Sequence, residues 1–158
     1  SRQLAGILTN TRIQSYSWSS GASGDTKIDA LRRAMTLAAL AHYPVDGIAV
    51  HPSDWEDIEL AKGSDGHYIW VNITQGGVMR LWRVPVVVTT ALDPGDAIVG
   101  AWGMAMAIWD RMAAQIRIAE EHEDYFVKNM LAILAELEMT QTIYRPESFI
   151  HVEFDSAP

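Results

Sequence analysis

Apolar positions recur along this chain at two spacings, and the spacing changes several times. Ile28, Leu31, Met35, Ala38 and His42 fall on one face of a 3.6-residue period. Asp25 or Thr26 can cap that predicted helix, and Pro44 stands where it is expected to end. Gly47-Ile48-Ala49-Val50 is a short apolar run of strand type. Ser53-Asp54-Trp55-Glu56 has the form of a capping box, predicting a helix to about Lys62 that stops at Gly63. Asp65-Gly66 signals a hairpin before Tyr68-Ile69-Trp70-Val71, and 72–78 form a predicted loop around Gly76-Gly77.

The second half is richer in strand patterns. Val84-Pro85-Val86-Val87-Val88-Thr89 is a predicted strand, with Pro85 near its start, where a missing N–H is tolerated. Asp93-Pro94-Gly95 is a turn and Ala97-Ile98-Val99-Gly100 a strand. Ala105 to Asp110 continues as apolar strand or short helix, and Gln115 to Ile118 alternates. Phe126 to Tyr144 carries two signals at once. Its Ala, Leu, Glu and Met content favours helix, while apolar residues at Val127, Leu131, Ile133, Leu137 and Ile143 favour strand. Arg145-Pro146 breaks that element, and Phe149 to Phe154 is a final alternating strand. Ser15 to Gly24 is a loop by its Ser and Gly content. Helices mixed with short strands give an α+β or mixed α/β domain.

Composition narrows the function. The chain has 158 residues, enough for one domain or one domain plus a strip of another. Its net charge of −8 and its scattered 12 Lys and Arg argue against a nucleic-acid binder. It has no cysteine, so no disulfide, thiolate metal site or cysteine nucleophile is available. No apolar run is long enough to span a membrane. The start, Ser1-Arg2-Gln3-Leu4, is unlike a signal peptide and suggests a piece cut from a longer chain. Six tryptophans imply a large core or aromatic surface covered by a partner. Trp55 and Trp109 are expected in the core, with Trp18 and Trp70 near loops as interface candidates.

Candidate chemistry is sparse. The histidines at 42, 51, 67, 122 and 151 include no pair at i, i+4, so structural or surface roles are expected and no metal is called for. Glu120-Glu121-His122-Glu123-Asp124 is expected as a solvated turn, the alternatives being cation binding or a basic patch on a neighbouring copy. His51, Ser53 and Asp54 are close enough in sequence to raise a hydrolase reading. A capping role explains Ser53 without catalysis, and there is no Gly-x-Ser-x-Gly elbow.

The order of the pieces carries more than any one of them. Gly24-Asp25-Thr26 opens a helix, and Gly47-Ile48-Ala49-Val50-His51-Pro52-Ser53-Asp54-Trp55 runs strand, proline, helix. Gly66-His67-Tyr68-Ile69, Leu81-Trp82-Arg83-Val84-Pro85-Val86-Val87 and Trp109-Asp110-Arg111-Met112 follow. Then come Glu123 to Met130 and Tyr144-Arg145-Pro146. In this order and spacing they resemble the major capsid proteins of Hong Kong 97-type tailed bacteriophages.

The resemblance implies an α+β capsid fold. An axial domain, with a mixed sheet flanked by helices, would occupy 1–124, loop-rich to about 24. A peripheral-domain strand would occupy 125–145, which favours strand for the ambiguous segment, and 146–158 would return to the axial domain. The family's N-terminal arm, extended loop and spine helix normally precede these motifs, so a fragment is expected. The implied role is structural: copies form pentamers and hexamers of an icosahedral shell that encloses DNA without sequence-specific binding. A scaffold or protease can take part during assembly in the bacterial cytoplasm, with the protein ending in the virion capsid. No cofactor and no membrane are implied. An encapsulin-type shell around protein cargo shares the fold, and an α/β hydrolase is the enzyme alternative.

Residue roles follow by position. The loop with Asn72, Gly76 and Gly77 would lie near the capsomer axis. Asn129 matches the acceptor of the family's self-crosslinking reaction and Glu136 its assisting carboxylate. The alternative is that both are ordinary strand residues, since many family members never crosslink. The lysines Lys27, Lys62 and Lys128 are not at extended-loop positions, so a donor is not expected here. Two departures stand out. Arg83 replaces a usual Gly before the hydrophobic-Pro-Val strand, which alters the turn and adds a charge. Leu137 and Glu138 replace a Glu-Arg pair, removing whatever ion pairs that Arg makes between subunits.

Overall fold

In the computed structural model Thr26 opens helix α1 (Lys27–Leu40) through a reciprocal capping box. The Asp29 N–H donates to the Thr26 hydroxyl at 3.4 Å, and the Thr26 N–H donates to the Asp29 carboxylate at 2.9 Å. The structure describes residues 6–18, 25–62, 79–119 and 131–154. The helix buries Ala30, Leu31, Ala34, Met35 and Ala38, a stripe at helical spacing. It ends before Pro44. His42 adopts φ 65°, and the N–H groups of His42 and Tyr43 donate back to Ala39 O and Ala38 O, both at 3.0 Å. This left-handed cap satisfies the last carbonyls, so the stop comes from His42 and not from the proline.

Six strands form one sheet in the order β1-β8-β5-β2-β4-β3. They are β1 (Gln14–Trp18), β2 (Gly47–Val50), β3 (Arg80–Leu81), β4 (Val84–Val88), β5 (Asp96–Gly100) and β8 (Phe149–Phe154). The central pairs β2–β5 and β5–β8 are antiparallel, while β1–β8 and β2–β4 are parallel. Alternation sets what faces the helices: Ile48, Val50, Val86, Ala97, Val99, Ile150, Val152 and Phe154 join Leu31, Met35, Trp55 and Ile58 in one core.

Two strands lie where the sequence suggested none. Ser15 to Trp18, expected as loop, belong to β1, whose alternating Tyr16 and Trp18 pack against the core. The Ser and Gly content of 15–24 favoured a loop over that short alternation. Arg80–Leu81 pairs with Pro85 and Val84, and Trp82 and Arg83 form the connecting tight turn with φ 44° and 72°.

Helix α2 (Pro52–Glu59) starts and stops earlier than expected. Its cap is His51, which accepts the Ser53 N–H on Nδ1 at 3.2 Å, so Ser53 and Glu56 form no capping box. Pro52 suits the first helical position because no N–H is needed there. The helix ends at Leu60, whose N–H bonds Glu56 O at 2.8 Å. The Asp93-Pro94-Gly95 turn is present, with Gly95 at φ 94° and Asp96 N–H bonded to Asp93 O at 3.1 Å. The short helix α3 (Trp102–Ala105) leads into β6 (Met106–Ala119), so the segment from Ala105 is mostly strand.

By packing the chain forms two units. Among the described residues, one holds 6–105 and 143–154, and the other holds 106–119 and 131–142. The second is a two-stranded ribbon of β6 and β7 (Ala132–Ile143). The segment with conflicting signals is thus strand over Ala132–Ile143. The ribbon unit of described residues begins at Met106, because β6 pairs with β7.

Candidate assembly surfaces

Helix α2 presents one face inward, and that decides the fate of the hydrolase candidates. Asp54 is buried. One of its carboxylate oxygens receives Lys27 Nζ at 2.8 Å and the other the Gly95 N–H at 2.8 Å. His51 Nδ1 lies 2.6 Å from Ser53 Oγ and also takes the Ser53 N–H. Among the described residues no carboxylate is bonded to His51, and its Nδ1 serves the helix cap. The three residues divide between a cap and a buried ion pair, and they do not form a catalytic triad.

Lys27 also donates to Asp57 at 2.6 Å and lies 5.5 Å from the Phe154 ring centroid. Burial alone lowers its pKa, but hydrogen bonds to Asp54 and Asp57 outweigh that and raise it above the usual 10.5. Asp29 is held below 3.8, mainly by hydrogen bonds from the Thr26 backbone and hydroxyl. Sequence spacing could not foresee the Lys27–Asp54–Gly95 link, since it joins three elements far apart in the chain.

The far face of the six-stranded sheet is packed by aromatic rings over glycines. Gly47 and Gly100 are register partners. A Cβ on Gly47 would meet Trp102 Cδ1 at 2.7 Å, and one on Gly100 would overlap the Phe149 ring. Trp102 and Phe149 stack edge to face at 5.2 Å. Asp46 receives the N–H groups of Trp102 and Gly103 at 2.6 and 2.8 Å, which fixes α3. Beside them, Ala49, Pro85, Val87, Thr89 and Trp102 line an apolar depression of about 490 Å³.

The ribbon is far more exposed. Ile108, Trp109, Ile116, Ile118, Ile133, Leu134 and Leu137 are all half or more exposed. Trp109 is 54 % exposed, which corrects its expected place in the core. Trp55 is buried as expected. Trp18, expected as an interface residue, packs partly buried against the core, edge-on to Phe154 at 6.3 Å. A bare two-stranded ribbon is marginal in water, and apolar surface of this kind is what protein partners cover.

Of the residues singled out from sequence, Glu136 lies half-buried on β7, with an oxygen 4.0 Å from Arg117 Nε on β6. Glu138 pairs with Arg111 at 3.3 Å, also across the ribbon. Glu138 thus has a partner within the same chain. Asn129, Asn72, Gly76 and Gly77 lie outside the described residues, as do Trp70, the Asp65-Gly66 hairpin and the acidic run 120–124.

A mixed sheet under two helices, joined to a long ribbon, is the Hong Kong 97-type capsid fold. The structure superposes on the capsid of an empty GTA particle with a TM-score of 0.74 at 14 % identity, covering 96 % of this chain and 56 % of that one. It matches Gordonia phage Cozz with a TM-score of 0.72 at 19 % identity, over 99 % of this chain and 53 % of that one. A virus-like particle from Pyrococcus furiosus matches with a TM-score of 0.67 at 17 % identity, over 93 % and 58 %.

The sequence profile of the phage capsid family matches residues 1–154, and the chain belongs to that family. The major capsid protein of Enterobacteria phage HK97 is 37 % identical over 147 residues, 93 % of this chain. Those residues span 38 % of the HK97 protein's length.

Proposed function

We propose that the protein is a phage major capsid protein whose copies build pentamers and hexamers of an icosahedral shell around DNA. The observation that carries this is the family match along residues 1–154 together with the shared fold. The exposed apolar ribbon supports it, because such a surface suits burial against neighbouring copies. On this reading the six-stranded unit is the axial domain and the ribbon part of the peripheral domain. The loop with Asn72, Gly76 and Gly77 lies at the capsomer axis. Assembly in the host cytoplasm, with a scaffold or protease taking part, belongs to the same proposal. The experiment is expression of the full-length protein, followed by electron microscopy and analysis of particle contents. Closed particles with DNA support the phage reading, closed particles holding a protein cargo support an encapsulin-type shell, and absence of particles overturns both.

The finer part of the proposal is self-crosslinking. A neutral Lys amine of one subunit attacks the side-chain carbonyl carbon of Asn129 on another. The new C–N bond forms an isopeptide as the Asn nitrogen leaves as ammonia. Glu136 takes the proton the amine must lose and passes it to the departing nitrogen. Denaturing electrophoresis of mature shells beside an Asn129→Asp variant tests this. A ladder in the parent that disappears in the variant supports the roles, and monomer bands in both return Asn129 and Glu136 to ordinary strand residues.

A further inference from the structure

The arginines of this acidic chain are scattered in sequence, but the fold gathers three of them. Arg80 begins β3, Arg83 lies in the β3–β4 turn, and Arg32 approaches from α1, with its guanidinium carbon 6.0 Å from the Trp82 ring centroid. Trp82 is 43 % exposed, and Arg32, Arg80 and Arg83 are exposed. Arg83 has no salt-bridge partner among the described residues.

The turn is also held in an unfavourable conformation. Trp82 and Arg83 both have positive φ, where glycine is the easy choice. A bulky ring and a cation kept in such a turn, aimed outward, are better suited to meeting something than to stabilising the fold.

The same unit carries the complementary surface. Helix α2 buries Trp55 and Ile58 and turns Glu56 and Asp57 outward, Asp57 already bonded to Lys27 at 2.6 Å, while Glu59 is half-exposed and accepts the Trp55 indole N–H at 2.7 Å. Glu56 has no salt-bridge partner among the described residues. Strands β2 and β4 run parallel, so the hairpin turn precedes one end of the pair while α2 begins beyond the other. A basic hairpin and an acidic helix face on one unit suit a head-to-tail contact, which closes into a ring where the rotation between copies closes.

We propose that the Arg80-Trp82-Arg83 hairpin, with Arg32, docks on the acidic face of α2 in a second copy of this chain. This rests on the shell reading and names one contact within it. Three arginines around an aromatic ring could also meet a nucleic-acid backbone. The net charge of −8 and the matching acidic helix favour the copy, because the chain as a whole repels phosphate.

The test has two readouts. Sedimentation velocity of this chain should show concentration-dependent self-association that weakens as salt is added. Arg83→Glu and Glu56→Arg should each weaken it by about tenfold, and the double swap should restore most of the loss. Arg83→Gly keeps the fold and removes strain and charge together, so it should weaken association while raising thermal stability. In the full-length protein the same single variants should reduce particle yield, and the swap should recover it. Salt-independent association, or a double swap no better than the singles, overturns the contact. So does loss of DNA binding in Arg83→Glu with association unchanged, which assigns the hairpin to nucleic acid. Full-length parent that forms no particles counts against the shell reading, while self-association of the chain decides the contact separately.

Discussion

Asp54 is a charged side chain in the interior, and both its oxygens are occupied, by Lys27 Nζ and by the Gly95 N–H. Removing it leaves the part-buried Lys27 ammonium with Asp57 alone and the Gly95 N–H unpaired at the turn before β5. Asp54→Ala is expected to destabilise the fold by about 2–4 kcal/mol, measured by urea unfolding. The Lys27 pKa is raised in the folded state, so its contribution is complete below pH 10.5 and lost as pH rises through the folded value. Stability should therefore fall at strongly alkaline pH, and Lys27→Met should flatten that limb of the curve. Arg83, expected to alter the turn before the strand, sits in that turn with positive φ. Its φ of 72° explains why glycine is favoured there, and Arg83→Gly should stabilise by about 1 kcal/mol in thermal unfolding. By contrast, the hydrolase reading of His51, Ser53 and Asp54 failed because neighbours in sequence on a helix start point in different directions.

Elements with one clear period were legible. Gly47–Val50 and Phe149–Phe154 match their expected bounds, and α1 differs only at its end. The failures have specific causes. The pair Arg80–Leu81 is too short to show alternation, and in β1 the Ser- and Gly-rich composition of 15–24 outweighed it. The proline at 52 moved the α2 cap to His51. In the segment ending at Tyr144 helix propensity and strand alternation conflicted, and pairing with β6 decided for strand. That pairing also makes a measurable difference between units. Amide hydrogens of β6 and β7 in this chain alone should exchange much faster than those of β2, β5 and β8, which lie inside a six-stranded sheet. Equal protection in both would overturn the view of the ribbon as an uncovered element. Within the larger sheet, Gly100→Ala would force the added methyl into the Phe149 ring. A loss of about 1–3 kcal/mol is expected, seen as a lowered urea midpoint with an unchanged slope.

For the whole molecule, the chain spans 38 % of the length of the HK97 protein, so much of that protein's surface has no counterpart in it. Light scattering of this chain alone is expected to show monomers or small oligomers and no closed particles. Closed shells from the chain by itself would mean that its own surfaces suffice for assembly. The α+β class, the strong helix α1 and the apolar strands of the sheet were determined by the sequence, because local periodicity and caps act within a few residues. The ordered set of short motifs also pointed to the capsid family. Only the tertiary structure decided which strands neighbour which, that Asp54 is closed in by Lys27 and Gly95, and that Trp109 stands outside the core. It alone brought Arg32 to a hairpin some fifty residues away. Those outcomes depend on pairing and burial between distant segments, and no window along the chain contains both partners.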